Sequence, residues 1–434
     1  IINEKILVTI FCIVVFPLSS FSATLKNALK QTFENNLELQ AERKNLEIQR
    51  EVINISKSDL FPKLTLTGKK NFEKTNEITT QAGADASVTD VDTASTSIKL
   101  EQTLLDGSGR KTEYEKSKLG LDLTEAKLVK KEQEIFLRAI EAYTGLILAY
   151  EKLDINEENV NLLQRQFELD NARLSRGQIT ASDLAQSQSS LAGAQARYIE
   201  AQNNIVTSKL NYENIIGVIS ADEKLQKIYS TKLTIPSSLD EAKKISLQKS
   251  PELTIAEIEY GQSELDVKIA RSDLSPTAKI SLERTYTEDL SSTYDEREKD
   301  VLQATVSWPF QFGGKDRSTV SKNLQAKGMK KLLLENAQRN NTQSVTSAWS
   351  TLQSSRSFLQ AVQTQVKAAE IATEGISFEY ESGSGRSTFD VLQSRSSLIN
   401  AKINLAEAER GYLLSQYRVL KSVGLLNSDY LNLN

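Results

Sequence analysis

The sequence predicts a mainly α-helical protein with a small β part, in which long antiparallel coiled-coil helices and β-hairpins occur twice. Three observations lead to this fold class. Sets of residues recur in the same order, which indicates two copies of one unit. Long stretches without proline, rich in Ala, Leu, Gln, Glu and Lys, favour very long helices. Between these stretches the apolar spacing changes from the helical period to alternation, which is typical of strands.

The duplication is visible in three pairs of segments. Ser58-Asp59-Leu60 returns as Ser272-Asp273-Leu274, and the turn from Leu105 to Arg110 returns as the segment from Phe310 to Lys315. The segment from Leu191 to Gly217 returns from Leu398 to Gly424. We therefore divide the chain into a first repeat (23–220), a linker (221–237), a second repeat (238–426) and a tail (427–434).

The N-terminal segment predicts export. An apolar run from Ile6 to Phe16 follows Lys5 and precedes the small residues around Ser22, as in a secretory signal peptide. We expect residues 1–22 to be removed; the alternative is a buried N-terminal strand. The only cysteine, Cys12, lies within the run and lacks the preceding small residues that lipidation requires. The remainder has no apolar run of ~20 residues, so only strands could cross a membrane.

Each repeat is expected to open with one short helix, which Pro62 or Pro276 ends. A helix of about 65 residues then follows between Gly107 and Gly177, reaching about 100 Å at ~1.5 Å per residue. Its apolar residues have coiled-coil spacing; they are Leu119, Leu123, Ala126, Val129, Phe136, Ile140, Tyr143, Ile147 and Tyr150. A second helix rich in small residues is predicted over 181–216. The corresponding helices of the second repeat are predicted over 314–381 and 387–423.

A β-hairpin is predicted between the opening helix and the long helix of each repeat, over about 62–106 and 276–312. Apolar and polar residues alternate most clearly from Ala278 to Tyr286 and from Leu302 to Phe310. Strands of ~10 residues with one apolar face suit a membrane barrel with a wet lumen. A small soluble sheet with one buried face is the alternative. Polar loops are expected over 79–93 and 289–299.

The composition argues against an enzymatic function. The 434 residues contain no histidine, which removes imidazole acid–base catalysis, histidine metal ligands and nucleophile–histidine pairs. We therefore expect neither an enzyme nor a protein with a metal or cofactor. The formal net charge is −4 and the charges are mixed along the chain, so nucleic acid is not an expected partner.

The predicted hairpins require an oligomer if they span a membrane. Two hairpins give four strands, whereas natural membrane barrels close completely and begin at about eight strands. Two chains would give eight strands and a barrel filled by side chains, and three would give twelve strands with a water-filled bore.

After the signal segment, the chain resembles the TolC family of outer-membrane efflux and type I secretion proteins. The resemblance rests on motifs whose order and duplication matter more than any single one. They are Asn36-Leu37-Glu38-Leu39, Ser58 to Pro62, Leu105 to Arg110, Ala142-Tyr143, Arg173 to Leu184, Trp308 to Gly314 and Phe389 to Leu392. This resemblance implies a homotrimer whose twelve strands form a barrel in outer-membrane lipid, continued by a helical tunnel into the periplasm. It also implies a passive gated duct that works with a periplasmic adaptor and an inner-membrane ABC or proton-driven transporter.

The resemblance further implies a gate at the far end of the helices, near the turns at Gly177 and Gly383. Ser182 and Asp183 match closing contacts in the first repeat, and Tyr380 and Arg386 match those in the second. Arginine beside acidic and hydroxyl groups can hold helices together by charge-assisted hydrogen bonds. The alternative is that Arg386 and Asp183 only cap helix ends in solvent.

A constriction ring is also implied by the resemblance. Asp390 matches the first of two acidic positions in the ring, but the second position is Gln393, which puts cation selectivity in doubt. The second turn is one residue longer than the first, because Asp183 follows Gly177 by six positions and Asp390 follows Gly383 by seven.

The main alternative function is a periplasmic coiled-coil adaptor or scaffold, which would show one helical hairpin between small β domains. An exported enzyme or adhesin with a helical stalk would need a compact domain, and none is visible. Within the family, residues 182–188 and the following Ala-rich helix favour type I protein secretion over drug efflux.

Overall fold

The structure, a computed structural model, describes residues 24–77, 87–219, 225–230, 233–289, 295–310, 312–383 and 385–433. The predicted signal peptide lies outside these ranges. Within them the elements are α1 (Leu25–Asn35), α2 (Leu37–Ser58), β1 (Lys63–Glu77), β2 (Ser87–Leu105), α3 (Gly109–Ser175), α4 (Ala181–Ile215), α5 (Leu239–Lys249), α6 (Pro251–Ser272), β3 (Thr277–Glu288), β4 (Glu296–Ser307), α7 (Lys315–Glu381) and α8 (Thr388–Ser422).

The prediction of one opening helix per repeat was wrong, because each opening segment is divided into two helices. Asn36 separates α1 from α2 with an extended backbone, and its side chain accepts hydrogen bonds from the amides of Glu38 (3.0 Å) and Leu39 (3.2 Å). Ser250 separates α5 from α6 and precedes Pro251. A residue before proline is disfavoured in the helical region, so the chain extends there.

The long helices agree with the sequence prediction. α3 and α7 contain 67 residues each, and α4 and α8 contain 35 each. At ~1.5 Å per residue, the longer pair extends about 100 Å. α3 packs against α4, and α7 packs against α8, while α6 contacts both long helices. The two repeats therefore form paired rods that lie side by side.

The four strands form one antiparallel sheet in the order β1-β2-β3-β4. The two hairpins join through β2 and β3, where Leu100 pairs with Leu282. The strands have 15, 19, 12 and 12 residues, longer than the predicted ~10. β2 begins at Ser87, inside the predicted loop, because the Thr and Val residues of 88–93 favour extended backbone. β4 likewise begins at Glu296, inside the second predicted loop. Residues 79–86 of the first predicted loop and 290–294 of the second lie outside the described ranges.

The sheet has one apolar face over part of its length. Cross-strand pairs place Leu64, Leu100, Leu282 and Leu302 side by side on this face, together with Leu66 and Ile98. All six of these side chains are exposed in the single chain. The opposite face carries polar residues such as Lys99, Glu101 and Glu283, and Lys99 pairs with Glu101 at 3.0 Å. A large apolar surface is thus left open beside a polar one.

The main hydrophobic core surrounds the middle of α3. Phe136, Ile140 and Tyr143 are fully buried there against α1, the end of α4 and the C-terminal segment. The tail contributes Leu431 and Leu433, which are buried in the same core together with Leu426 just before the tail. The tail and the linker therefore pack on α3 of the first repeat, in a core that also includes Leu413, Leu414, Tyr417 and Leu420 from the end of α8.

Candidate functional site at the helix tips

The helix tips, defined here as the turns over 176–180 and 382–387, are built by glycines and helix caps. Gly177 has φ +71°, and its amide bonds to the Leu174 carbonyl while the Gln178 amide bonds to the Arg173 carbonyl, both at 2.9 Å. This is a Schellman motif, which uses glycine because the left-handed conformation strains other residues. Gly383, with φ +76°, ends α7 with its amide bonded to the Tyr380 carbonyl at 3.3 Å.

Each tip then starts its next helix with a capping box. Thr180 caps α4 through Asp183, and Ser387 caps α8 through Asp390. The Thr180 amide donates to the Asp183 carboxylate at 2.9 Å, and the Ser387 amide donates to Asp390 at 3.0 Å. These backbone hydrogen bonds, followed by the hydroxyl bonds, lower the pKa of both carboxyls. Asp183 and Asp390 therefore occupy the same structural position in the two repeats.

The other residues predicted at the gate and the constriction are distributed along the surface of the tips. Ser182 is exposed near the start of α4, and Gln393 is exposed near the start of α8. The Arg386 guanidinium donates through Nε to Glu379 Oε2 at 2.6 Å, within its own hairpin. This hydrogen bond raises the pKa of Arg386. Within one chain, Arg386 is thus bound to Glu379 and not to Asp183 or Ser182.

Tyr380 has a different environment, because its side chain is 6% exposed and enters a buried polar cluster. Its hydroxyl donates to Asp170 Oδ1 at 2.8 Å and lies 3.0 Å from Thr388 Oγ1. The Arg173 guanidinium lies 4.2 Å from the centre of the tyrosine ring. Burial is the main reason that the pKa of the Tyr380 hydroxyl is raised.

Asp170 is the centre of this cluster and is fully buried. Its carboxylate accepts hydrogen bonds from Ser187 Oγ of α4 and from Gln166 Nε2 of α3 at 3.0 Å, in addition to Tyr380 of α7. Thr388 of α8 completes the set through Tyr380. We call Asp170, Gln166, Ser187, Tyr380 and Thr388 the Asp170 cluster. Side chains from all four long helices meet in it.

A small apolar cluster lies next to these polar residues. Leu163 of α3, Leu191 and Ala194 of α4, and Leu392 of α8 are buried together. Arg395 of α8 adds a hydrogen bond to the Leu162 carbonyl at 3.3 Å, and burial lowers the pKa of its guanidinium. The two hairpins are therefore packed against each other near the tips.

Sequence reasoning identified Tyr380 but missed Asp170, Gln166, Ser187 and Thr388. A signal was present, because Leu163, Gln166 and Asp170 are spaced three and four positions apart, as on one buried helix face. Polar residues at core positions of a helix indicate a buried hydrogen-bonded cluster. The partners of that cluster were not visible in the sequence.

The described part of the chain contains neither a metal-holding group of side chains nor a helix suited to span a membrane. No group of three or more Cys, Asp or Glu side chains in it is arranged to hold a metal ion. Among the same residues, no helix combines the length and the apolar character that crossing a membrane requires.

Comparison with known proteins gives a family match in both repeats. The sequence pattern of the family described as outer membrane efflux protein matches residues 28–218 and 244–425. The two matched segments leave out the linker and the C-terminal tail, as expected of a duplicated unit.

Individual relatives and solved structures are similar to this chain over most of its length. The outer membrane efflux protein BepC of Brucella suis is 25% identical over 96% of this chain and 88% of its own. The alkaline protease secretion protein AprF of Pseudomonas aeruginosa is 23% identical over 95% of this chain and 87% of its own. The crystal structure of the CmeC outer membrane channel of Campylobacter jejuni has a TM-score of 0.83 and 17% identity, covering 93% of this chain and 86% of its own.

Proposed function

The chain belongs to the outer membrane efflux protein family, and from this membership we propose that it is the outer-membrane channel of a tripartite export system. It acts as a passive gated duct for substrates that an inner-membrane transporter moves. The observation that carries the proposal is the family match across both repeats, together with paired rods about 100 Å long that end in a sheet with an open apolar face.

The sheet supplies the membrane part of the duct. One chain contributes four strands in the described ranges, and its end strands β1 and β4 pair on one side only. Unpaired edges are costly in lipid, and closure of the sheet removes them. Three copies would close a barrel of twelve strands, with Leu64, Leu100, Leu282 and Leu302 toward outer-membrane lipid and the polar face toward a water-filled lumen. The oligomer is therefore a homotrimer.

The helices supply the periplasmic part, and the helix tips supply the gate. Ser182, Asp183, Tyr380 and Arg386 are the proposed gate residues, and Asp390 and Gln393 the proposed constriction ring. In a trimer, the exposed Arg386 and the half-buried Asp183 of adjacent chains would face each other around the axis. Exchange of the bond between Arg386 and Glu379 for contacts with a neighbouring chain would close the gate.

The partners are a periplasmic adaptor protein and an inner-membrane transporter, either an ABC exporter or a proton-driven pump. The relative AprF is described as a protease secretion protein and BepC as an efflux protein, which supports type I protein secretion and drug efflux alike. The transporter provides the energy, so we assign no catalytic step to this chain. A periplasmic adaptor, the alternative function, lacks support because the family match covers both repeats.

Single-channel conductance in planar bilayers tests the proposal. The purified protein, Arg386→Ala and the control Arg176→Ala are compared; Arg176 is an exposed arginine at the other helix tip. We expect small steady channels from the unmodified protein, markedly larger ones from Arg386→Ala and no change from Arg176→Ala. Channels that Arg386→Ala leaves unchanged would keep the duct and remove Arg386 from the gate. Absence of any channel would refute the outer-membrane duct.

A further inference from the structure

A cavity of about 420 Å³ lies where α8 ends and α6 begins, against the middle of α3 and α7. Side chains of all four helices form its wall, so both repeats contribute to it. A cavity of this size can hold a small molecule. We call it the α6 cavity and define it by Lys130, Gln133, Ser250, Glu252 and Lys421.

The start of α6 lacks the side-chain acceptor that the equivalent helix of the first repeat has. Asn36 accepts hydrogen bonds from the first amides of α2, whereas Ser250, at the same position, makes no side-chain bond to α6. Pro251 has no amide hydrogen, so Glu252, which lines the cavity, has the first amide donor of α6. The start of a helix also carries a partial positive charge, which favours an anion.

The neighbouring end of α8 uses its acceptors within its own turn. The Gly424 amide donates to the Lys421 carbonyl at 3.0 Å, and the Leu425 amide donates to the Leu420 carbonyl at 2.8 Å. This is the usual closure of a helix by a glycine turn. The carbonyls at the end of α8 therefore accept hydrogen bonds from the turn that follows them rather than from α6.

The side chain of Gln133 in α3 independently indicates a ligand. It is 3% exposed and lines the α6 cavity, and its Nε2 group has no hydrogen-bond acceptor among the described residues. Buried polar groups in proteins are nearly always hydrogen-bonded. An acceptor inside the cavity would satisfy this donor and the start of α6 together.

The charges in the wall favour an anion that also carries a proton. The wall has three cationic and two acidic side chains, namely Lys130, Arg418, Lys421, Glu134 and Glu252. Lys130 pairs with Glu252 at 3.2 Å, and Arg418 pairs with Glu141 at 2.8 Å. Within the described part of the chain, Lys421 and Glu134 have no ion-pair partner. A cation and a carboxylate are thus both left to contact a ligand.

We propose that the α6 cavity is a binding site for a small phosphate anion. Its oxygens accept from the start of α6, from Gln133 Nε2 and from the Lys421 ammonium, and its P–OH group donates to Glu134. The anion takes the place that the Asn36 side chain occupies in the first repeat. A lipid phosphate is not a candidate, because the 22 residues of α6 extend about 33 Å between the cavity and the sheet.

Isothermal titration calorimetry of the full protein with inorganic phosphate, at constant ionic strength, tests the site. We expect saturable binding of one phosphate per chain, and Gln133→Met and Lys421→Gln should each weaken it about ten-fold. Ser250→Asn should weaken it as well, because it gives α6 the side chain that caps α2. Lys209→Gln is the matched control, since Lys209 is a half-buried lysine near the end of α4. It should leave binding unchanged.

Absence of saturable phosphate binding to the unmodified protein would overturn the proposal. Unchanged affinity in all three cavity variants would do the same, because the phosphate would then bind elsewhere. Sulfate, which carries no proton at neutral pH, should bind more weakly, and equal affinity would refute the contact with Glu134. Where Gln133→Met does not fold, unchanged affinity of Lys421→Gln is sufficient to reject the site. None of these results depends on channel formation, so the proposed function is tested separately.

Discussion

α3 and α7 are equivalent by sequence and different by environment. Both contain 67 residues and begin after a glycine turn. Yet the middle of α3 lies in the main core, whereas the same part of α7 contributes Val345 and the partly buried Trp349 to a small cluster with Ala242 and Val423. The comparison teaches that duplication sets the length of a helix, while the segments that pack on it decide its burial.

The difference arises from the connections. The linker reaches α3, where the Tyr143 hydroxyl donates to the Gln226 carbonyl at 2.8 Å and accepts from the Gln226 amide at 3.1 Å. The C-terminal tail also packs on α3, through Leu431 and Leu433. Both segments that follow a repeat therefore pack on α3, and the linker also reaches α8 through the ion pair between Lys227 and Glu409 at 2.6 Å. The corresponding face of α7 is open in the single chain.

Substitutions at equivalent positions should give the largest contrast. Phe136 is fully buried, and its counterpart Thr342 is exposed. We expect Phe136→Ala to lower the free energy of unfolding by about 3–5 kcal/mol because it leaves a cavity, and Thr342→Ala to change it by less than about 0.5 kcal/mol. Denaturant unfolding followed by circular dichroism measures both. Similar losses would show that α7 is as deeply packed as α3.

The joints between helices give a second, smaller contrast. Besides capping α2, Asn36 donates through Nδ2 to the Ile215 carbonyl of α4 at 3.2 Å, so it links two helix ends. Its counterpart Ser250 makes no side-chain cap bond with α6. At that joint Gly424 is needed instead, because a Cβ there would lie 2.2 Å from the Lys249 carbonyl oxygen.

We therefore expect Asn36→Ala to cost about 1 kcal/mol of folding free energy, the usual value for a lost N-cap. Ser250→Ala should cost almost nothing, since no cap bond is lost. The same unfolding measurement at equal protein concentration compares the two. Equal effects of the two substitutions would contradict the difference between the joints.

The smallest expected effect concerns pH. Burial raises the pKa of the Glu132 carboxyl of α3, which accepts from Ser428 Oγ of the tail at 3.4 Å. With a raised folded-state pKa, its contribution to stability is fully present below its unfolded value of about 4.3 and is lost as the pH rises through the folded value. The equivalent residue of α7, Gln338, is exposed.

Glu132→Gln should therefore raise the midpoint of thermal unfolding at pH 7 and have little effect near pH 4. The control Gln338→Glu should leave the midpoint unchanged at both values, because that carboxylate would be exposed. Thermal unfolding at the two pH values measures the difference. A gain from Glu132→Gln that is equal at pH 4 and pH 7 would contradict the burial of a charged carboxyl.

Much of the helical part was predictable, because its signals are local. Glycine turns and the absence of proline placed the ends of α3, α4, α7 and α8 within about two residues of those observed. The hairpins were predicted less well. The outer part of β2 lacks apolar alternation, so the sequence indicated a loop where the structure has strand. The break at Asn36 was missed because an asparagine within a helical pattern is not by itself a stop signal.

At the site, the resemblance implied Tyr380 and Arg386 in the second repeat and closing contacts from Ser182 and Asp183 in the first, but it did not indicate the bonds that form within the chain. Arg386 bonds to Glu379 across one turn, and Tyr380 bonds to Asp170 in the other repeat. Asp183 and Asp390, which the resemblance implied for different roles, are both the third residue of their helix and the acidic partner in its capping box. Their equivalence became clear once the two helix tips could be compared in space.

The sequence by itself determined the two copies, the lengths of the rods and the positions of their turns. These depend on the properties of residues within one or two helical turns of each other, which periodicity records. The tertiary structure decided that α3 is buried and α7 is open, and that Asp170 receives the hydroxyl of Tyr380. Those facts depend on packing between elements that are far apart in the chain, and a local pattern contains no information about which distant surface will cover it.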